Sequence, residues 1–543
     1  MKGIANQKGV NGMGKRFICF LLVMFLSACF AMTGFASPVG EGKRILFVPL
    51  DNRPVTDKQT REVAEKLGYE ILVPPEELLG SIDRTGDPDG LWAWLAEKGA
   101  GADAAVLSTD AMLYGSLVHS RNHDLPRGTV MERVQRFQEL HEKFPRLPIY
   151  AFGTILRTLL SPNHSGQGME PEEYQRNAMK IRDFSILRDK ADMGLLPPER
   201  GKRELEKMKQ EISPAVLESW EAHHLLNQSA NEALIDLARE DVLTYLYLGA
   251  DDSAPFSQTH YEGRHLKAYG KDLHKTRFQL TSGADELAMV MLCRAITDDM
   301  GDIPFVHTVY NEGKGRETVP AFCMDEIGND VDGIIVAAGG MQVPSPARAE
   351  MVFAVNTSPD GRTMAANAPS NTTRPRNGTK YFVSLVKGLV EQGYPVAVGD
   401  ISCANGSDNA MMEQLRQEDL QFRLRAYGGW NTATNSMGFL IGTGILAKWM
   451  DRQAADELML TRYLDDWAYQ ANVRQQLAAL LYARPGCNPN KLTPDDRQFS
   501  TEQGTRMMSE FAAKNLRLPR GLSLKDLRIS QPWNRMFECD VFF

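Results

Sequence analysis

The chain has 543 residues, 43% of them hydrophobic and 24% charged, with a formal charge of −8. This composition excludes an intrinsically disordered protein, and the length leaves room for two to four domains with large buried cores. The balance of 61 Lys and Arg against 69 Asp and Glu argues against nucleic acid or an anionic membrane surface as the main partner, since both demand a basic footprint.

The first element is one long apolar run, FICFLLVMFLSACFAMT at 17–33, which follows Lys15-Arg16 and contains no charge. A basic flank, an apolar stretch and then small residues form an export signal, expected over residues 1–36. Inside it, Leu26-Ser27-Ala28-Cys29 matches the bacterial lipobox, in which Cys29 would be lipidated. The alternatives are an ordinary signal cleaved after Gly34-Phe35-Ala36, or an uncleaved N-terminal anchor. The expectation is therefore an exported protein, either a cell-surface lipoprotein or secreted or periplasmic, touching membrane only through signal or lipid. Residues 1–28 carry four basic side chains and no acid, so their removal leaves a more acidic body. Beyond the leader stand Cys293, Cys323, Cys403, Cys487 and Cys539, with no CxxC pair and no zinc spacing. They read as buried small hydrophobes rather than a disulfide frame.

Next come short β-rich apolar runs alternating with helical stretches. The runs are Arg44–Leu50, Tyr69–Pro74, Ala102–Leu107, Pro148–Gly153, Val242–Leu248 and Ile303–Val309. Near-continuous apolar strands indicate parallel strands covered on both faces. The fold class expected is α/β: a (β/α)-barrel-like domain, closed or as an open sheet, over 44–317. Residues 196–240 interrupt it as a helical insertion. A second, smaller α/β domain is expected over 318–484, with strands at Gly333–Ala338, Met351–Val355 and Pro395–Val398 and a helical part at 451–484. Residues 485–543 read as a C-terminal tail.

In parallel α/β folds, ligands meet the carboxyl ends of the strands. The residues that follow the runs there include Asp51-Asn52-Arg53, Asp110, Arg157, Asp251-Asp252, Asp285 and Asp400. Asp251-Asp252 is the sharpest of these features. Neighbouring residues on a strand point to opposite faces, so both carboxylates reach one ligand only if the backbone leaves β geometry. Gly249 before them and Pro255 after them favour that departure. Two carboxylates held close cannot both ionise easily, which raises one pKa and suits general acid catalysis of glycoside hydrolysis. The structural alternative is a cap on the following helix.

Arg53 and Arg157 could hold an anionic group, or be buried in ion pairs with Asp51 or Asp110. The His260–His265 segment has the wrong spacing for a helical metal site, so no metal and no cofactor are expected. A metal-dependent alternative would draw on Asp51, Asp110, His260 and Asp251. In the second domain, Trp430, Asn431 and Asn435 lie in a Gly-rich segment; an apolar platform beside amide donors suits a sugar ring. GxSxG, GxGxxG after a strand and the P-loop are all missing, which disfavours serine esterase and nucleotide chemistry.

FVPLDNRPV (47–55), STDAMLYGSLVHSR (108–121), YLGADDSAPFS (247–257), SGADE (282–286) and AYGGWNTATNSMG (426–438) together resemble a bacterial family catalogued as domain of unknown function 4127. That family implies no activity. The ADD segment also looks like the paired aspartates of substrate-assisted β-N-acetylhexosaminidases on (β/α)8 barrels. This likeness would make Asp251 the residue that orients the substrate acetamide and Asp252 the acid/base. The functional expectation is a glycosidase-like hydrolase acting on an extracellular or cell-wall glycan. Asp251 and Asp252 would be catalytic, with Asp51, Asn52, Arg53, Asp110, Arg157, Asp285, Asp400, Trp430, Asn431 and Asn435 around the substrate. The alternative is a surface lipoprotein that binds a sugar or peptidoglycan fragment without cleaving it.

Overall fold

The computed structural model describes residues 38–159 and 171–543. The expected leader, with its lipobox and Cys29, lies outside the described residues. Six strands form one parallel sheet: β1 (Arg44–Val48), β2 (Glu70–Leu72), β3 (Ala104–Ser108), β4 (Ile149–Ile155), β5 (Tyr245–Ala250) and β6 (Phe278–Ser282). Their spatial order is β2-β1-β3-β4-β5-β6, with β2 and β6 at the edges. The continuous apolar character of the strands has a direct cause. Ile45 and Phe47 of β1 enter a core on one face, while Leu46 and Val48 enter a separate core on the other. Alternate side chains leave on opposite faces, and both faces are dry.

A second parallel sheet contains β7 (Phe305–Tyr310), β8 (Met341–Gln342), β9 (Met351–Asn356), β11 (Val396–Asp400) and β13 (Ala426–Gly428), in the order β13-β11-β9-β7-β8. A two-strand ladder of β10 (Met364–Ala365) and β12 (Cys403–Ala404) stands apart from it. In both sheets the first strand lies between the second and third and later strands add outward, the doubly wound 2-1-3-4-5 order. Phe305–Tyr310 closes the first unit by sequence rhythm, but it pairs with β9 and so opens the second sheet.

Gly333–Ala338, expected as a strand, instead falls largely in a helix, Ile327–Ala337. A short apolar run has the same composition whether it is a buried strand or one face of a buried helix, so periodicity cannot separate the two. This helix (α2) lies with α1 (Leu287–Met300) and α3 (Ala433–Leu446) in the shared core between the sheets. The same core takes Tyr150 and Tyr247 from the first sheet and Phe353 and Val355 from the second. All fourteen residues of α3 are buried, and a helix apolar on every side is stable only when covered on every side. Close approach to α1 requires glycine at 438, where a Cβ would fall 2.2 Å from Cγ of Glu286.

The C-terminal region is more than a tail. Pro494–Asn515 is a helix, and Arg528–Ser530 pairs antiparallel with Asp540–Phe542. The turn between those two strands brings Trp533, Arg535 and Phe537 to the cleft described below. All five cysteines among the described residues are free, four of them buried. Among the described residues no helix is long and apolar enough to cross a membrane.

Candidate active-site cleft

The carboxyl ends of both sheets open onto one cleft, with about 630 Å³ of empty space when its open mouth is included. From the first sheet come Arg53 after β1, Arg121 after β3, Arg157 after β4, Asp251 and Asp252 after β5, and Asp285 after β6. From the second unit come Asn405, Asn431 and Asn435.

The β5 end explains how two consecutive aspartates share this space. Gly249 sits against the turn after β6, where a Cβ would meet the Gly283 carbonyl oxygen at 2.3 Å, so only glycine lets the chains approach there. Three residues on, Asp252 adopts a left-handed φ of 39° and breaks the β alternation, so both carboxylates line the cleft. Neither caps the next helix: Ser257 does so, its Oγ accepting from the His260 N–H at 3.2 Å. Eight non-glycine residues among those described have positive φ, and four of them line this cleft: Asp252, Phe322, Asn405 and Asn431. Each costs on the order of 1–3 kcal/mol, and such strain persists where surrounding structure enforces it, above all at functional sites.

Each acid is matched to an arginine. Arg121 donates from Nε and Nη2 to Oδ2 of Asp251, the former at 3.0 Å. Arg157 Nη1 donates to Asp252 Oδ2 at 2.8 Å. Arg53 is clamped between two acids: its Nε and Nη2 reach Asp51, while Nη1 and Nη2 reach Asp285 at 3.1 and 2.6 Å. The sequence alternative of a buried ion pair thus describes Arg53 with Asp51, and Asp285 is its second partner. Burial pushes the Asp251 carboxyl above its usual range; Arg121 pulls it back, and Asp252 beside it pushes it up again. Burial likewise raises Asp285 against the opposing pull of Arg53.

Asn431 and Asn435 cross from the second unit to the first, donating to Asp285 Oδ2 at 2.8 and 3.4 Å. Asn52 is not a cleft residue but a support: its Oδ1 accepts from Trp533 Nε1 at 2.7 Å. Asp110 lies behind the cleft wall, accepting from the Thr154 N–H and Oγ1 at 2.9 and 2.8 Å, and burial lifts its pKa to about 6.

Two more of the expected site residues, Trp430 and Asp400, also do not line the cleft. Trp430 is 5% exposed and packs in the core between the sheets, 6.2 Å from the Phe537 ring, so it is no sugar platform. The aromatic side chains at the cleft are Trp533 and Phe537. Asp400 is fully buried at the end of β11, where it accepts from the Asp408 N–H at 2.6 Å and from Asn356 at 3.0 Å. His260 bonds Asp189 at 2.5 Å, away from Asp51 and Asp110. Among the described residues no group of three or more His, Cys, Asp or Glu is arranged to hold a metal ion.

Burial, with Asp408 nearby, raises Asp400 from 3.8 to about 7, and burial raises Asp466 to about 7 despite Arg462. A carboxyl whose folded pKa exceeds its unfolded value adds stability that is complete below the unfolded pKa and is lost as pH rises through the folded one. The melting temperature is therefore expected to fall by a few degrees between pH 6 and pH 8.5. Asp400→Asn should flatten that slope in scanning calorimetry. A melting temperature that climbs over the same interval would contradict the assignment.

Arg121, Asn405, Phe322 and the Trp533–Phe537 turn were not singled out by sequence reasoning. Arg121 could have been found, since it ends the 108–121 segment that follows β3. The turn carried no signal beyond its Trp and Arg, because it reaches the cleft only through tertiary packing. Neither a curated protein nor a solved structure matches this chain. Residues 45–542, nearly the whole described chain, match the family described as "Protein of unknown function (DUF4127)", and the protein belongs to that family.

Proposed function

We propose that this protein is an exported hydrolase that cleaves an extracellular or cell-wall glycan at the Asp251–Asp252 pair. The observation that carries the reading is the left-handed backbone at Asp252, which turns two consecutive carboxylates into one cleft at the carboxyl edge of the sheet. Asp252, with its side chain 20% exposed against 6% for Asp251, is the acid/base. It passes a proton to the glycosidic oxygen as the C–O bond breaks; water forms the new C–O bond and returns a proton to a carboxylate. Asp251, anchored by Arg121, orients the sugar, and Asn431 and Asn435 supply amide groups from the opposite wall.

A second reading, capture without cleavage, is favoured by one specific feature: each aspartate is matched to its own arginine, and a neighbouring cation opposes the protonation that a general acid needs before it can donate. Purified protein presented with chromogenic glycosides and peptidoglycan fragments separates the two. Turnover supports the hydrolase. Binding with no turnover supports capture, and neither binding nor turnover overturns both.

A further inference from the structure

Resting on the carbohydrate reading above, we infer that the cleft contains a carboxylate subsite built on Arg535, so that the sugar it takes is acidic. Arg535 is 3% exposed and comes from the C-terminal turn. Its Nε and Nη2 edge is spent on Glu538, with Nε 2.5 Å from Oε2. Its Nη1 is buried and has no hydrogen-bond partner among the described residues, although Arg535 lines the cleft. A buried guanidinium N–H left unpaired is costly, and native structures rarely keep one without a purpose.

The neighbourhood selects the anion. Trp533 is held between two guanidinium groups, Arg53 at 5.1 Å and Arg535 at 4.9 Å from its ring centre, which fixes the position of both. Arg53 is already engaged from both sides, with four of its five N–H groups directed at Asp51 and Asp285. Among the described residues that line the cleft, Arg535 Nη1 is the buried side-chain donor left without a partner. Asp251, Asp252 and Asp285 line the same cleft, each paired with an arginine, so little net charge is left over and a singly charged carboxylate is the anion that the Nη1 donor matches. Partly buried Phe537 beside it offers an apolar edge for the ring that carries the carboxylate. The class that fits is a uronic acid or an aminosugar bearing a lactyl ether.

The test is calorimetric binding of matched pairs to the intact mature chain: glucuronic acid against glucose, and N-acetylmuramic acid against N-acetylglucosamine. The acidic member of at least one pair should bind at least about tenfold more tightly, as expected for one charge-assisted hydrogen bond. In Arg535→Gln that ratio should fall towards one. Arg535→Gln combined with Glu538→Gln, which leaves no lone buried charge, keeps the experiment valid if the single variant does not fold. Equal affinity within both pairs, or a preference that survives the double variant, overturns the subsite and leaves the carbohydrate reading standing. Failure of all four sugars and of the glycan panel overturns that reading and the subsite with it.

Discussion

Asp252→Asn is expected to lower turnover of the cleaved glycan by at least about a hundredfold while leaving the fold intact, the usual effect of losing one general acid. Asparagine has nearly the same shape, and its carbonyl oxygen can still accept from Arg157 Nη1, now 2.8 Å from Asp252 Oδ2. What it lacks is a proton to deliver. Asn is also among the residues that tolerate the left-handed backbone observed at this position. Turnover and melting temperature should therefore separate, with the first collapsing and the second nearly unchanged. Asp251→Asn should cost stability as well as rate, because Asp251 is the more deeply buried of the two carboxylates, 6% exposed against 20%, and accepts from two nitrogens of Arg121. Full activity in Asp252→Asn would end the catalytic assignment.

Arg53→Met is expected to cost about 3–5 kcal/mol of stability, the largest single loss foreseen for this chain. The Arg53 guanidinium joins two buried acids brought from positions 51 and 285, and all three side chains are no more than 6% exposed. Removing the cation leaves two uncompensated buried carboxylates, which is worse than losing the bridge itself. It also strips the support beneath Trp533. Denaturant unfolding of the described body measures the loss. Adding Asp285→Asn to Arg53→Met should recover part of it, because one of the two stranded charges is then gone. A loss below about 1 kcal/mol would mean that this bridge does not tie the segments after β1 and β6 of the first sheet together.

Much of the first sheet is legible in the chain because its strands are buried on both faces. Arg44–Val48 and Tyr245–Ala250 read as unbroken apolar runs, which is the mark of a parallel sheet covered on each side. The same rule misleads at Gly333–Ala338, since α2 is buried between the two sheets and carries no polar stripe to reveal its helical period. β13 is only three residues long and sits before a turn rich in glycine, so its turn announced itself more clearly than the strand did.

For the cleft, Asp251, Asp252, Arg53, Arg157 and Asp285 were legible because they follow strands, and position after a parallel strand is local information. Asp400 also follows a strand, yet it closes a buried network of its own with Asn356, Asp408 and Tyr427. Trp430 looked like a platform in a Gly-rich segment, but the ring turns into the shared core. Which side of a turn an aromatic ring takes depends on the density of apolar atoms on each side, a property of packing rather than of spacing.

By itself the amino-acid order determined the α/β class, the parallel strands and the acids and arginines that end them, because these depend on periodicities of two and of 3.6 residues within short windows. Tertiary structure alone decided that two like-wound sheets share one core, that Asn431 and Asn435 reach across to Asp285, and that the last strands return Arg535 to the cleft. Those contacts join residues more than a hundred positions apart. Long-range pairing is chosen by which apolar faces can be buried against each other, and the energy of that choice is spread over the whole core rather than written in any one segment.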